Sequence, residues 1–114
     1  MQRYRAVTKF VRISPTKARL AAGLIRGKSA SEAEDQLRYA GSKGGRLLEK
    51  TLKSAIANAE SRSDIPKEEL VVDEVRVDDG PRMKRSKPRS KGSRHPFLKR
   101  MSHFTVVVAA KQGA

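Results

Sequence analysis

Between positions 79 and 103 stand nine basic residues, Arg82, Lys84, Arg85, Lys87, Arg89, Lys91, Arg94, Lys99 and Arg100, against a single acid, Asp79. Side chains of this kind at this density hold anions rather than make bonds. Arginine offers a planar fork for bidentate phosphate contacts and stacks on unpaired bases, while lysine supplies a compact point charge. A second cationic series, Arg12, Lys17, Arg19, Arg26 and Lys28, surrounds Ser14–Pro15. There a helix start with no acid nearby in sequence turns its first free amides outward, which suits an anion. The Ser14 cap by itself reads more simply as an ordinary helix start, so Lys17 and Arg19 carry the anion argument.

Reaction chemistry finds no comparable constellation. His95 and His103 lie among cations, and Ser102–His103 has no third member in view. Neither histidine has a cluster of further metal ligands, and cysteine is absent, which removes thiolate zinc sites, disulfides and cysteine catalysis together. No catalytic residue, metal or cofactor is expected, and His103 is read as an RNA contact or a packing residue. No apolar run approaches the length needed to cross a bilayer, and no signal-peptide stretch follows Met1, so a cytoplasmic chain without a membrane partner is expected.

The distribution of charge sharpens this. The 114-residue chain carries a formal net charge of +14. Residues 1–31 hold eight Lys or Arg and no acid, residues 32–79 hold eight basic and all twelve acidic residues, and residues 80–114 hold ten basic residues and no acid. Both ends attract anions while the middle resembles an ordinary solvated surface, and a polyanion, nucleic acid above all, is the expected partner.

The elements that must position these cations follow from periodicity. Arg3 to Ile13 mixes cations with Tyr4, Val7, Phe10 and Val11 in partial alternation, a strand with one wet face. Ser14–Pro15 begins a helix whose apolar stripe is Ala18, Ala21, Ala22 and Ile25 and which closes at Gly27. Ser29 and Glu32 have capping-box spacing before a helix on Ala30, Ala33, Leu37 and Ala40. A longer helix over about 43–61 buries Leu48, Leu52, Ala55 and Ala59, and residues 61–66 read as a turn. Strands are expected over 70–78 and 104–110. The chain is expected to form a single domain, residues 1–114, with residues 79–103 as a protruding basic hairpin. The midpoint of that segment is Lys91, beside Gly92, which puts the tip within Ser90–Ser93. A ribbon of two mutually repelling arms is marginal alone in water and calls for an external polyanion.

Read together, Val11-Arg12-Ile13-Ser14-Pro15-Thr16-Lys17-Ala18-Arg19, Leu24-Ile25-Arg26-Gly27-Lys28-Ser29, Ser54-Ala55-Ile56-Ala57-Asn58-Ala59, Gly80-Pro81 with Lys84-Arg85, Pro88-Arg89, and Lys99-Arg100-Met101-Ser102-His103-Phe104-Thr105 resemble the bacterial large-subunit ribosomal protein L-twenty-two family, over roughly Val7 to Val108. The resemblance implies an α+β fold, three helices packed on a small antiparallel sheet with a long β-hairpin extension. It implies a non-enzymatic constituent of the large ribosomal subunit that binds large-subunit ribosomal RNA, supports its assembly and touches neighbouring ribosomal proteins. It also implies that the tip, Lys87, Pro88, Arg89, Ser90, Lys91, Gly92 and Ser93, lines the exit tunnel and meets the nascent polypeptide. The expected RNA contacts are Arg12, Ser14, Lys17, Arg19, Arg26, Lys28, Arg82, Lys84, Arg85, Lys87, Arg89, Lys91, Arg94, Lys99, Arg100 and His103. Ser90, Ser93 and Met101 depart from the family pattern, which usually has alanine, arginine and threonine at those places.

Two other classes share the composition. An architectural DNA binder with a β-arm generally works as a dimer with a shared core, whereas the apolar stripes here suffice for a monomer. A polybasic membrane-surface protein would need an amphipathic helical period in the basic segment, which has only Phe97 as an aromatic.

Overall fold

The computed structural model of the protein describes residues 3–81, 83–88 and 94–110. In chain order, strand β1 (Arg3–Val11) leads to helices α1 (Pro15–Ile25), α2 (Ala30–Ala40) and α3 (Lys43–Ser63). A short 3-10 turn (Lys67–Glu69), absent from the sequence expectation, then opens strand β2 (Leu70–Asp79). Strands β3 (Met83–Pro88) and β4 (Arg94–Lys99) precede the last strand, β5 (Ser102–Ala110). The architecture is α+β: three helices packed against a small antiparallel three-stranded sheet, with β3 and β4 forming a separate two-stranded ribbon.

Local sequence explains most boundaries. Pro15 occupies the first turn of α1, where its missing amide costs nothing, and Gly27 takes φ +83° just beyond the helix end. The Ser29 hydroxyl accepts the Glu32 amide at 3.3 Å to start α2, and Gly41 ends that helix at φ +68°. Ser42, which sequence reading passed over, caps α3 by accepting the Gly45 amide at 3.0 Å. α3 runs to Ser63, two residues past its expected end, and closes on Asp64 in a left-handed conformation whose amide bonds Glu60 O. The α2 stripe is shorter than expected: Ala30, Ala33 and Leu37 are buried, whereas Ala40 is exposed.

The last strand is the spine of the sheet, in the order β1-β5-β2. Its run Val106-Val107-Val108-Ala109 lacks alternation because both of its faces are covered, and a strand buried on both sides reads as continuous apolar sequence. Phe104, Val106 and Val108 belong to the apolar core shared with Ile25, Leu37, Leu48 and Leu52. On the opposite face Arg3, on β1, bonds Asp73 Oδ2 at 2.8 Å and Glu74 Oε2 at 3.0 Å, on β2. Since β5 lies between those strands, about 10 Å apart at ordinary strand spacing, this ion cluster roofs the outward residues Val107 and Ala109.

Exposed strand edges invite adventitious pairing, and here both are occupied. Along β2, Gly27 N donates to Val72 O at 3.1 Å and Val72 N donates to Lys28 O at 2.8 Å. On the β1 side, Asn58 Nδ2 donates to Arg5 O at 3.1 Å. The β1–β5 register shifts between Thr8 and Val11, and within that shift Phe10 has φ +60°.

The β2–β5 pairing proceeds from Leu70↔Ala110 to Asp79↔Ser102, and Gly80 N still donates to Met101 O at 2.8 Å. The β3–β4 ladder resumes at Met83↔Lys99 and runs to Pro88↔Arg94. The ribbon therefore continues the two strands of the body, and its register is symmetric about position 91, the midpoint read from sequence. The radius of gyration, 17.2 Å, exceeds the roughly 13 Å expected of a compact domain this long, and the principal extents are 67 × 25 × 18 Å.

Candidate nucleic-acid interface

Four cations line an open groove of about 1030 Å³ on the body. Arg12 and Ser14 enter it from the turn after β1, Lys17 from the first turn of α1, and Arg100 from the segment between β4 and β5. Lys43, at the start of α3, joins them and was missed by sequence reading, because only the packing of α3 on α1 brings it there. Glycine permits that packing: a β-carbon on Gly44 would stand 3.1 Å from Ile13 Cδ1 and 3.5 Å from Ala18 Cα. The floor is apolar, formed by Ile13, Leu20, Ala21, Leu24 and Met101, and among the described residues no carboxylate lines it.

The groove runs along α1, from Ser14 and Lys17 to Leu24, and takes in the first residues of α3. Neither α1 nor α3 has an acid in its first turn; at α3 the Ser42 hydroxyl claims the Gly45 amide, whereas at α1 the positive end of the dipole is left without a side-chain acceptor. Ser14 has the extended backbone of a capping residue, but its hydroxyl accepts no first-turn amide. The plain cap read from sequence is thus replaced by amides that Ser14 does not claim. Lined by Arg12, Lys17, Lys43 and Arg100, such a site favours anionic oxygens over an apolar floor, which matches phosphates carrying unstacked bases.

Other expected contacts have different surroundings. Arg19 Nε and Nη2 donate to Val77 O at 3.3 and 3.1 Å, and its Nη2 lies 4.0 Å from Asp79 Oδ1. Arg26 Nη2 donates to Val75 O at 2.7 Å. Both arginines thereby close the β2 edge, a role invisible without the fold, and each keeps further donors for a ligand. Lys28 is half-buried and uses its backbone carbonyl at the same edge. His103 Nδ1 accepts the Phe10 amide at 3.0 Å, and the two rings meet edge to face with centroids 5.0 Å apart.

On the ribbon, Lys84, Arg85, Lys87 and Pro88 lie on β3 and Arg94 and Lys99 on β4, with Lys84 opposite Leu98 and Lys87 opposite His95. Arg82, Arg89, Ser90, Lys91, Gly92 and Ser93 lie outside the described residues. Among the described residues, no group of three or more His, Cys, Asp or Glu could hold a metal ion, and no helix is long and apolar enough to cross a membrane.

Comparison with known proteins agrees with this geometry. The family model described as "Ribosomal protein L22p/L17e" matches residues 6–109. The chain is 62% identical over 105 residues to the large ribosomal subunit protein uL22 of Protochlamydia amoebophila, covering 92% of this chain and 95% of that protein. To the protein of that name in Chlamydia pneumoniae it is 53% identical over 109 residues, covering 96% and 98%.

Proposed function

The chain belongs to the ribosomal protein L22p/L17e family and is a structural, non-enzymatic constituent of the large ribosomal subunit, and on that premise we propose that it binds large-subunit (23S) ribosomal RNA through two cationic surfaces. One is the groove of Arg12, Ser14, Lys17, Lys43 and Arg100. The other is the ribbon with its base, Arg82, Lys84, Arg85, Lys87, Arg89, Lys91, Arg94 and Lys99. Residues 1–114 act as one domain, and residues 79–103 form its protrusion. Arg19, Arg26, Lys28 and His103 border the two surfaces and complete the contact set.

The observation that carries this reading is the groove itself: four cations from separate parts of the chain converge beside α1 and the start of α3, with no carboxylate among the described lining residues. Contacts there fall on phosphates, riboses and irregular loops, because the deep groove of A-form RNA excludes side chains. Binding holds RNA segments together during assembly of the subunit. The family resemblance adds that the tip, Lys87 to Ser93, lines the exit tunnel, where the nascent polypeptide passes over it, and that the working compartment is the cytoplasm.

Filter binding of the full chain to a large-subunit ribosomal RNA transcript tests the reading. If six to ten phosphates are engaged, affinity falls by about three to five decades between 50 and 200 mM salt, by analogy with duplex DNA. Joint substitution of Lys17, Lys43 and Arg100 by Met lowers both the affinity and the salt slope. Joint neutralisation of Lys84, Arg85, Lys99 and Arg100 does the same at the ribbon base. A slope unchanged in both variants, or a preference for duplex DNA over the transcript, rejects the proposal. Cross-linking from a photoreactive group at position 91 to a stalled nascent chain tests the tunnel assignment separately.

A further inference from the structure

Resting on the RNA-binding reading, we propose that Phe10 is a stacking platform for an unpaired RNA base, held out from the sheet by a left-handed backbone that His103 fixes. Phe10 is 59% exposed, while its neighbours Val11 and Ile13 are buried at 8% and 6%. Its φ of +60° lies where glycine and asparagine sit readily and where a bulky aromatic residue is an outlier. Strained backbone of this kind persists only when the surroundings over-determine it.

The surroundings do so at two points. The Phe10 amide, which the register shift between Thr8 and Val11 takes out of the β1–β5 ladder, donates to His103 Nδ1 at 3.0 Å. The His103 ring then meets the Phe10 ring at an interplanar angle of 89°. An edge-to-face contact with one small ring leaves aromatic surface uncovered, in agreement with the exposure.

A strained, outward aromatic adds nothing to the core, which makes its recognition value the physical reason for the arrangement. Lys9 and Arg12, both exposed, flank it in sequence, and no acid occurs in residues 1–31. A flat apolar surface between cations matches a base stacked on the ring with its flanking phosphates on Lys9 and Arg12. Such stacking tolerates any base and is strong enough for one aromatic to register in affinity. Asp78, directly across from His103 on β2, bounds the platform on its far side with a carboxylate, which keeps phosphates toward the Lys9–Arg12 side.

The test compares wild type, Phe10→Leu and Phe10→Tyr in binding to the same ribosomal RNA transcript, with thermal melts of each. Phe10→Leu keeps the apolar bulk but removes the π-face; it is expected to weaken binding by roughly tenfold, with the salt slope unchanged because no phosphate contact is lost. Phe10→Tyr is expected to bind within about twofold of wild type, and ultraviolet irradiation is expected to link a nucleotide to the peptide holding Phe10 in wild type. Equal affinities for wild type and Phe10→Leu overturn the proposal, as does a Phe10→Leu loss that appears only in the retention of a neighbouring protein in reconstituted particles. Failure of wild type itself to bind the transcript refutes the broader RNA reading and is thereby distinct.

Discussion

Among individual side chains, the cations divide by what already holds them. Arg26 and Arg19 resemble Lys17 and Arg12 in sequence, yet each of the former closes a carbonyl on the β2 edge. Arg26→Met is expected to lower stability by about 1 kcal/mol, the usual worth of one such bond, in a denaturant melt. Lys43→Met, at the groove, is expected to leave the melt nearly unchanged while weakening RNA binding. Lys67 and Glu34 supply a pH-dependent case. Lys67 Nζ lies 3.0 Å from Glu34 Oε2, and that hydrogen bond, reinforced by the charge of the carboxylate, raises the Lys67 pKa above the usual 10.5. A raised lysine pKa stabilises the fold below the unfolded value and ceases to do so as pH climbs through the folded one, so the loss falls on the alkaline side of about 10.4. Lys67→Met is expected to cost roughly 1 kcal/mol at neutral pH, small because Lys67 is partly solvated, and to flatten the stability profile in that alkaline window. Composition revealed how many cations there are; which of them are occupied by carbonyls depends on tertiary neighbours and was not legible.

At the level of elements, what was local was readable. The Ser29–Glu32 pair, Pro15, Gly27 and the valine-rich strands fell where capping and alternation put them, since each rule acts within a few residues. Ser42 escaped because two poor helix formers, Gly44 and Gly45, stand in the turn directly after it. In the fold they mark a close approach of helices instead, as a β-carbon on Gly45 would stand 3.0 Å from Leu37 O. Gly45→Ala gains up to about 1 kcal/mol of helix propensity but must push α2 from α3; a net loss on the order of 1 kcal/mol is expected in thermal unfolding. The central position of β5 and the shift at Phe10 are long-range facts, set by which strand pairs with which, and no window of sequence contains them. Lys43 joined the groove for the same reason.

Across the whole molecule, apolar burial and charge are separated in space. The core draws on β1, β2, β5 and the three helices, and residues 86–94 hold no Val, Ile, Leu, Met or aromatic residue in sequence. Deleting residues 86–94 is therefore expected to leave cooperative unfolding in place, with a melting temperature near that of the intact chain, while reducing RNA affinity and its salt slope; loss of the transition would make the ribbon part of the core. The acid-free ends and the hairpin midpoint were legible because charge segregation and arm symmetry are counted directly along the chain. The groove was not, since its walls come from segments up to 88 positions apart, Arg12 and Arg100 among them.

The continuity of β2 and β5 into β3 and β4 sets a rule for how this protein can change length. Two residues added to each arm would advance the far end by about 7 Å and leave every side chain on its present side, whereas one added to each would turn the outer half of the ladder over. Variation in reach is thus quantised in pairs, and natural insertions that respect this step can lengthen the finger without disturbing the palm.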